Sequence, residues 1–190
     1  MMARHAVQGV SGGRDARRAP APRLALAAAM MTVLVAALTP ASAWAAPAAG
    51  AVAPAPAFDL PGDAGRISLD AYKGKLVYVD FWASWCGPCR KSFPWMNSLQ
   101  QRYGAHGLQV VAINVDAKRD DAAAFLAKVP AGFTVAYDPA GATARAYGIK
   151  GMPSSALVGR DGKLLWLHAG FNESDQAMLD AQIKAALQLQ

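Results

Sequence analysis

The sequence contains little cysteine and little histidine, and this scarcity excludes several kinds of site. Cys86 and Cys89 are the only cysteines among 190 residues, so a framework of several structural disulfides cannot form. A structural zinc site needs about four ligands, and the three histidines show no short ligand spacing to one another or to the cysteines. We therefore expect no bound metal, and no cofactor other than the disulfide that Cys86 and Cys89 can form.

Strong basic charge is also missing from most of the chain. The whole sequence carries 19 Lys and Arg against 13 Asp and Glu, a formal charge of +6. Five of these arginines and one of the acids lie within residues 1–45, which leaves 14 basic and 12 acidic residues in the rest. No basic stripe remains that would indicate a nucleic-acid partner.

The first 45 residues have the organisation of a secretory signal peptide. An arginine-rich segment at 1–23 precedes an uncharged apolar run of 15 residues at 24–38. Residues 41–43 and 43–45 then each fit a small-x-small motif, which offers cleavage after Ala43 or Ala45. A charged segment, an apolar run and a cleavage site in this order predict export to the periplasm or another extracytoplasmic space.

The alternative is that the apolar segment remains as a membrane anchor. Fifteen apolar residues are short for a span of about 20, but the alanine-rich continuation would allow anchoring through residues 24–46. Residues 46–57 are rich in Pro and Ala and cannot bury a core, so we predict an extended, poorly ordered linker. Residues 58–190 are enough for one domain, which we expect to begin near Phe58 and to be monomeric.

Within this domain, strand patterns alternate with helix patterns. The apolar runs Leu76–Trp82 and Leu108–Val115 are typical of buried strands in an α/β sheet, and right-handed crossovers would place them side by side and parallel. The segment Cys86–Cys89 opens a helix that runs to about Tyr103, with Pro88 in its first turn. These patterns predict an α/β sandwich with a mixed sheet. The other predicted elements are a hairpin at 58–69, strands at 133–136, 155–158 and 164–168, helices at 119–129 and 142–147, and a last helix at 174–189 with Ala177, Met178, Leu179, Ile183, Ala186 and Leu187 facing inward.

The two cysteines lie where a strand passes into a helix, which suits reversible thiol–disulfide exchange. The attacking species in such an exchange is the thiolate. Cys86 lies at or just before the helix start, where unpaired N–H groups and the helix dipole favour the thiolate, so we predict a lowered pKa for its thiol. Cys89, one turn inside the helix, should be less exposed and should resolve the mixed disulfide that Cys86 forms.

Asp80 interrupts the apolar run six residues before Cys86. A charge in a buried strand is unfavourable by several kcal/mol without a partner. Desolvation should therefore raise the pKa of the Asp80 carboxyl and make it the acceptor of the Cys89 proton. The alternative is a carboxylate that faces a small wet cavity and has no chemical role.

Two further features flank the cysteines. Trp85 is placed for contact with a substrate, whereas Trp82 suits ordinary core packing equally well. Met152-Pro153 lies between a glycine-containing turn and a strand, a place that invites a cis X–Pro bond, although a trans proline at a strand start is the commoner case.

Together these motifs resemble the thioredoxin superfamily. The resemblance rests on VDFWASWCGPC at 79–89, followed by Pro94, and on GMPS at 151–154. The long segment at 116–147 and the signal peptide resemble the TlpA/ResA-like branch of extracytoplasmic thiol–disulfide oxidoreductases. The resemblance implies a thioredoxin-like three-layer sandwich with helices on both faces of a central mixed β-sheet, an N-terminal β-hairpin and a TlpA-like central insertion.

The resemblance also implies a role for each motif residue. Cys86 corresponds to the nucleophile, Cys89 to the resolving thiol and Asp80 to the buried acid of thioredoxins. Pro153 corresponds to the cis-proline that packs against the disulfide, and the Met152 backbone to the edge that pairs with an extended substrate peptide. The implied substrate-binding set consists of Trp85, Gly87, Pro88, Met152 and Pro153.

Two departures from the family pattern affect Asp80. TlpA-like proteins commonly have Asn at this position, so the site resembles that of thioredoxins more closely. Thioredoxins, however, pair the buried acid with a Lys from the neighbouring strand, and Val111-Ala112-Ile113 contains none. An unpaired buried Asp80 should have an even higher pKa.

The resemblance implies a reductase for disulfides in exported proteins, such as those of haem-attachment or copper-site cysteines. Its electrons would come from a membrane-embedded thiol donor, because the cytosolic thiol pools do not reach that compartment. Two alternatives stay open. One is a disulfide oxidase or isomerase on the same fold, and the other is a Cu(I)-binding chaperone that uses Cys86, Cys89 and Met152 as soft ligands.

Overall fold

The computed structural model of the protein describes residues 53–189. Seven strands and four α-helices alternate along this part of the chain, with short 3₁₀ turns at Leu69–Tyr72 and Gly104–His106. In chain order the elements are β1 Asp59–Gly62, β2 Gly65–Ser68, β3 Leu76–Trp82, α1 Cys89–Tyr103, β4 Leu108–Asn114, α2 Arg119–Leu126, β5 Thr134–Tyr137, α3 Ala142–Ala146, β6 Ser154–Val158, β7 Leu164–Ala169 and α4 Asp175–Leu187.

All seven strands form one mixed sheet in the order β2-β1-β5-β4-β3-β6-β7. The central strand β3 runs parallel to β4 and antiparallel to β6. The parallel neighbours β3 and β4 are joined through α1, which is the crossover that the sequence predicts. The predicted thioredoxin-like sandwich with a mixed sheet is confirmed.

Two hydrophobic cores lie on opposite faces of the sheet, and β3 contributes to both. Tyr78 and Trp82 belong to the first core, which also contains side chains of α1, α2 and α4. Val79 and Phe81 belong to the second core, with side chains of α3 and the N-terminal hairpin. Because successive strand residues point to opposite faces, β3 is buried along its whole length and forms a rigid platform beneath the cysteines.

Several predicted helix boundaries differ from the structure. The helix α1 begins at Cys89 instead of near Cys86, because the residues before it form a turn and Pro88 becomes the N-cap. The helix α2 ends at Leu126, short of the predicted Val129, since a residue that precedes a proline is disfavoured in helical conformation and Pro130 follows.

The inward face of α4 is narrower than predicted. Leu179, Ile183 and Leu187, spaced four residues apart, are its buried side chains. Ala177 and Met178, predicted to face inward, are exposed. A spacing of four residues gives one narrow stripe on a helix, and positions 177 and 178 fall outside it.

The first described residues lie against the domain. Pro54 forms an antiparallel bridge with Lys163, and the Leu164 N–H donates to the Ala53 carbonyl over 2.9 Å. Contacts therefore begin before Phe58, within the segment predicted to be a poorly ordered linker. The predicted signal peptide, with its possible anchor, and linker residues 46–52 lie outside the described residues. Within 53–189, no helix is long and apolar enough to cross a membrane.

Candidate active site

Cys86 and Cys89 form a disulfide at the junction of β3 and α1, with a Cα–Cα distance of 5.4 Å. The N–H of Cys89 donates to the Cys86 sulfur over 3.2 Å. The prediction that Cys89 lies one turn inside the helix is wrong, because Cys89 is the first residue of α1. Both side chains are buried, with 3% of Cys86 and none of Cys89 exposed. Cys86 is thus slightly more exposed to solvent than Cys89, as expected for the attacking thiol.

The surface over the disulfide is formed by the residues around the turn. Trp85 is 71% exposed, and Gly87 and Pro88 are exposed as well. Trp82, in contrast, is fully buried and packs edge to face against Phe93, with ring centroids 4.9 Å apart. One tryptophan thus lies on the surface, where the sequence predicts it, and the other, which the sequence left open, packs in the core.

Asp80 lies on β3 between Tyr78 and Trp82, which belong to the first core, and strand alternation places all three side chains on the same face. Its side chain is 2% exposed, and within the described residues its Oδ2 atom has no hydrogen-bond partner. Directly opposite it are Ala112 on β4 and Ser155 on β6. Burial raises the pKa of the Asp80 carboxyl well above its usual range.

Tyr78 shares this environment. Burial raises the pKa of its phenol, and the nearby Asp80 carboxylate raises that pKa further, while a hydrogen bond with Ser155 acts in the opposite direction. Tyr78 therefore stays protonated at neutral pH and adds no charge beside Asp80. The proton-accepting group on this face is the carboxyl.

The Met152–Pro153 peptide bond is cis and immediately precedes β6. Met152 is half-buried and packs against the first core, which contains both cysteines. Pro153 is buried, and its carbonyl accepts a hydrogen bond from the Gly170 N–H over 2.8 Å. The loop is thereby held to the end of β7, beside a cavity of about 300 Å³ that both residues line.

A buried carboxylate that the sequence analysis missed holds the loop before Cys86. Asp116 accepts hydrogen bonds from the Ser84 N–H at 2.8 Å and the Ser84 hydroxyl at 3.0 Å. The Asn114 side-chain amide donates to the same carboxylate over 2.7 Å. A signal is present in the sequence, since Asn114 ends the apolar strand β4 and Asp116 follows two residues later. Nothing local, however, connects Asp116 to a loop 32 residues earlier.

The two basic residues at the start of α1 lie on its outer surface. Arg90 lies over the Phe125 ring at 4.9 Å, and Lys91 is exposed. Among residues 53–189, no group of three or more His, Cys, Asp or Glu is arranged to hold a metal ion. The arrangement offers two thiols at the end of a strand that carries a buried acid, Asp80.

Comparisons with known proteins agree with the fold and with the cysteine pair. Among solved structures, a Chlorobium tepidum protein with the proposed identity of thiol:disulfide interchange protein DsbE is 58% identical, with a TM-score of 0.70 over 71% of this chain and 96% of that one. A second structure, from Chlorobium tepidum TLS and described as a thiol:disulfide interchange protein of the thioredoxin family, is 27% identical, with a TM-score of 0.62 over 71% and 96% of the two chains.

Curated relatives include thiol–disulfide oxidoreductases named ResA. That of Bacillus subtilis strain 168 is 32% identical over 116 residues, which are 60% of this chain and 65% of ResA. That of Bacillus cereus ATCC 10987 is 36% identical over 107 residues, 56% and 61% of the two chains. The chain thus spans less than two thirds of the length of these relatives.

These matches confirm the resemblance to the thioredoxin superfamily and its ResA-like branch. A family model described as Redoxin matches residues 48–183, which is well over half of the chain. The protein therefore belongs to the Redoxin family.

Proposed function

We propose that the protein is an extracytoplasmic thiol–disulfide oxidoreductase that reduces disulfides in exported proteins. The observation that carries the proposal is the Cys86–Cys89 disulfide at the start of α1. It is bordered by the first core, which the face of β3 that bears Asp80 also lines. Within the described residues, the Oδ2 atom of Asp80 is buried and has no hydrogen-bond partner. Reactive dithiols need a stabilised thiolate and a nearby proton acceptor. The Cys89 N–H at the Cys86 sulfur and the buried Asp80 carboxyl on the strand before the cysteines support these two roles.

The cycle begins with the reduced protein. The Cys89 N–H, which contacts the Cys86 sulfur, stabilises negative charge on that sulfur. The Cys86 thiolate attacks one sulfur of a substrate disulfide and forms a mixed disulfide, while the other substrate sulfur leaves as a thiolate.

The second step closes the disulfide and releases the substrate. Asp80 takes the proton of the Cys89 thiol, and the Cys89 thiolate attacks the Cys86 sulfur of the mixed disulfide. The bond between Cys86 and the substrate breaks, and the substrate leaves with both of its sulfurs reduced. Two electrons have passed from the dithiol to the substrate, and the state with a Cys86–Cys89 disulfide is restored.

The surface around the disulfide suits an extended peptide. Trp85, Gly87 and Pro88 supply an exposed apolar and backbone surface on one side. On the other side, the backbone of Met152 before the cis-Pro153 pairs with the substrate by strand addition. Because such pairing uses main-chain groups, the site accepts disulfides in many sequence contexts.

Export sets the direction of electron flow. In an oxidising compartment a reductase needs an external donor, and we propose a membrane-embedded thiol protein in that role. Haem-attachment and copper-site cysteines are the proposed clients, and the protein acts as a monomer. The names of the relatives, ResA and DsbE, support thiol–disulfide chemistry for this chain.

The reduction of insulin disulfides by dithiothreitol, followed by turbidity, tests the activity. We expect the wild-type protein to accelerate the reaction and Cys86→Ser to abolish the acceleration, and an unchanged rate with wild type would contradict the proposal. The reduction potential of the Cys86–Cys89 pair tests the direction. A potential near that of the bacterial periplasmic oxidase, about −120 mV, would indicate an oxidase instead of a reductase.

A further inference from the structure

A row of side chains crosses the sheet beside the disulfide and reaches its edge. Asp80 on β3 lies directly opposite Ser155 on β6, and Ser155 lies directly opposite His168 on β7. Side chains in such directly opposed pairs have Cβ atoms about 4.5–5.5 Å apart. The three residues therefore form one continuous polar row that leads from the middle of the sheet to its outermost described strand.

All three side chains point to the same face. Leu157 on β6 and Trp166 on β7 are partners in the sheet and belong to the first core. Ser155 and His168 lie two residues from these two along their strands, so they share that face with Asp80. The opposite neighbour of Asp80, Ala112 on β4, is apolar and buried. The polar row thus extends from Asp80 only towards β6 and β7.

The row changes from buried to accessible along its length. Asp80 and Ser155 are each 2% exposed, whereas the His168 side chain is 21% exposed. His168 is also one of the residues that line the cavity of about 300 Å³ beside the Met152–Pro153 loop. At this outer end, His168 Nε2 lies 3.3 Å from an Asp175 carboxylate oxygen at the start of α4.

The proposed function creates a need for such a row. Asp80 takes a proton from Cys89 in every cycle, yet its carboxyl is buried and its Oδ2 atom is unpartnered within the described residues. When the disulfide is reduced again, Asp80 can return this proton to Cys89. An Asp80 carboxyl that is already protonated when the mixed disulfide forms, however, must first lose that proton before it can accept one from Cys89. We propose that Ser155 and His168 form the route by which this proton passes between Asp80 and solvent.

The transfer conserves protons and involves no other reactant. The Asp80 carboxyl gives its proton to the Ser155 hydroxyl, directly or through one water molecule, as that hydroxyl passes its own proton on to the His168 ring. His168 then releases a proton to solvent. The other titratable groups that face the row are Tyr78, which remains protonated and forms a hydrogen bond with Ser155, the cysteine pair, and Asp175 beside His168. The Ser155 hydroxyl must therefore turn from Tyr78 towards His168 for the transfer.

This inference rests on the proposed function, and one kinetic experiment tests the two separately. Reduced protein in excess reacts with 5,5′-dithiobis(2-nitrobenzoate), which releases one thionitrobenzoate when Cys86 attacks and a second when Cys89 resolves the mixed disulfide. The variants are Ser155→Ala and His168→Gln, with Asp80→Asn as the positive control. His106→Gln is the matched histidine control, because His106 is exposed and lies outside the row.

We expect the first release to stay within about twofold of wild type in both relay variants, since neither residue activates Cys86. In the two relay variants, the second release should split into two phases at any pH where part of the Asp80 population is still protonated. Molecules whose Asp80 is already ionised react at the normal rate, and the others wait for proton exit and react at least about tenfold more slowly. The slow phase should shrink as pH rises. Ser155→Thr keeps the hydroxyl and should show a single phase. His168→Ala should show the slow phase, and added imidazole should remove it.

Three results would overturn one proposal or the other. A single wild-type phase in Ser155→Ala and His168→Gln, with a slow second release in Asp80→Asn, shows that the proton leaves Asp80 by another route. A slow phase that imidazole does not remove shows that His168 acts only in packing. A wild-type second release in Asp80→Asn removes the proton acceptor from the proposed function itself.

Discussion

The backbone N–H of Cys89 lies 3.2 Å from the sulfur of Cys86 and donates to it. The contact exists because α1 begins at Cys89, so that this N–H has no partner within the helix. If α1 began at Cys86, the Cys86 sulfur would belong to the helix and would not lie in front of its N-terminus. The turn Cys86–Pro88 therefore directs a helix N-terminus at the sulfur that attacks.

The burial of Asp80 predicts an unusual dependence of stability on pH. Above a pH of about 4, the unfolded chain loses this proton while the folded protein retains it, because burial raises the pKa of the folded carboxyl. The free energy of unfolding should therefore fall as pH rises towards the folded pKa, with a slope of up to about 1.4 kcal/mol per pH unit. Asp80→Asn should remove this fall and be the more stable protein at pH 8.

Urea unfolding of the oxidised protein between pH 4 and pH 8 measures this effect. Asp120→Asn is the matched control, since Asp120 is exposed and its loss should leave the pH profile of wild type. If the free energy of unfolding depended on pH in the same way in wild type and Asp80→Asn, the Asp80 carboxyl would not be held protonated by burial.

Asp116 should be needed to position the loop before Cys86. In Asp116→Ala the Ser84 N–H and hydroxyl and the Asn114 amide lose their acceptor, and we expect a loss of about 2–4 kcal/mol in the free energy of unfolding. The rate at which Cys86 attacks a small disulfide should fall as well, because the turn is no longer fixed.

Asp138→Ala is the control that distinguishes loss of loop positioning at Cys86 from general loss of stability. Asp138 is also a buried carboxylate, but it accepts the N–H groups of Ala142 and Thr143 at the start of α3. Its loss should destabilise the protein by about 1 kcal/mol and leave the rate of Cys86 attack unchanged. Equal slowing in the Asp116 and Asp138 variants would indicate that only general stability matters.

The two tryptophans beside the site should respond differently to truncation. Trp85→Ala should leave stability within about 0.5 kcal/mol, because the ring is 71% exposed. It should lower kcat/KM for a protein disulfide about fivefold to tenfold, with little change for a small disulfide. Trp82→Ala should lower the free energy of unfolding by about 3–5 kcal/mol. If Trp85→Ala lowered kcat/KM equally for a protein disulfide and a small disulfide, the Trp85 ring would not be part of the substrate-binding surface.

The parts of the fold that the sequence predicts well are those with a strong local pattern. β3 has the predicted bounds because its apolar run is bordered by Gly74 on one side and the cysteine turn on the other. Asp80 was recognised from the same run, as its single acid. The parallel pairing of β3 with β4 followed from the handedness of the connection.

The parts that the sequence does not predict depend on contacts between distant segments. Nothing local indicates that Ser155 lies opposite Asp80 and His168 opposite Ser155, because strand register is set by tertiary packing. The contact of Asp116 with Ser84 has the same origin. The start of α1 was placed too early because the turn before it and a first helical turn have similar local composition.

The most direct test of the account compares Cys89→Ser with Cys86→Ser, each reduced and mixed with a peptide that contains one disulfide. Intact-protein mass spectrometry then measures the mixed disulfide. The account predicts that Cys89→Ser accumulates a stable one-to-one adduct through Cys86, and that Cys86→Ser forms little, because Cys89 is fully buried. Accumulation on Cys89 in the Cys86→Ser variant, with none in Cys89→Ser, would contradict the assigned roles of the two thiols.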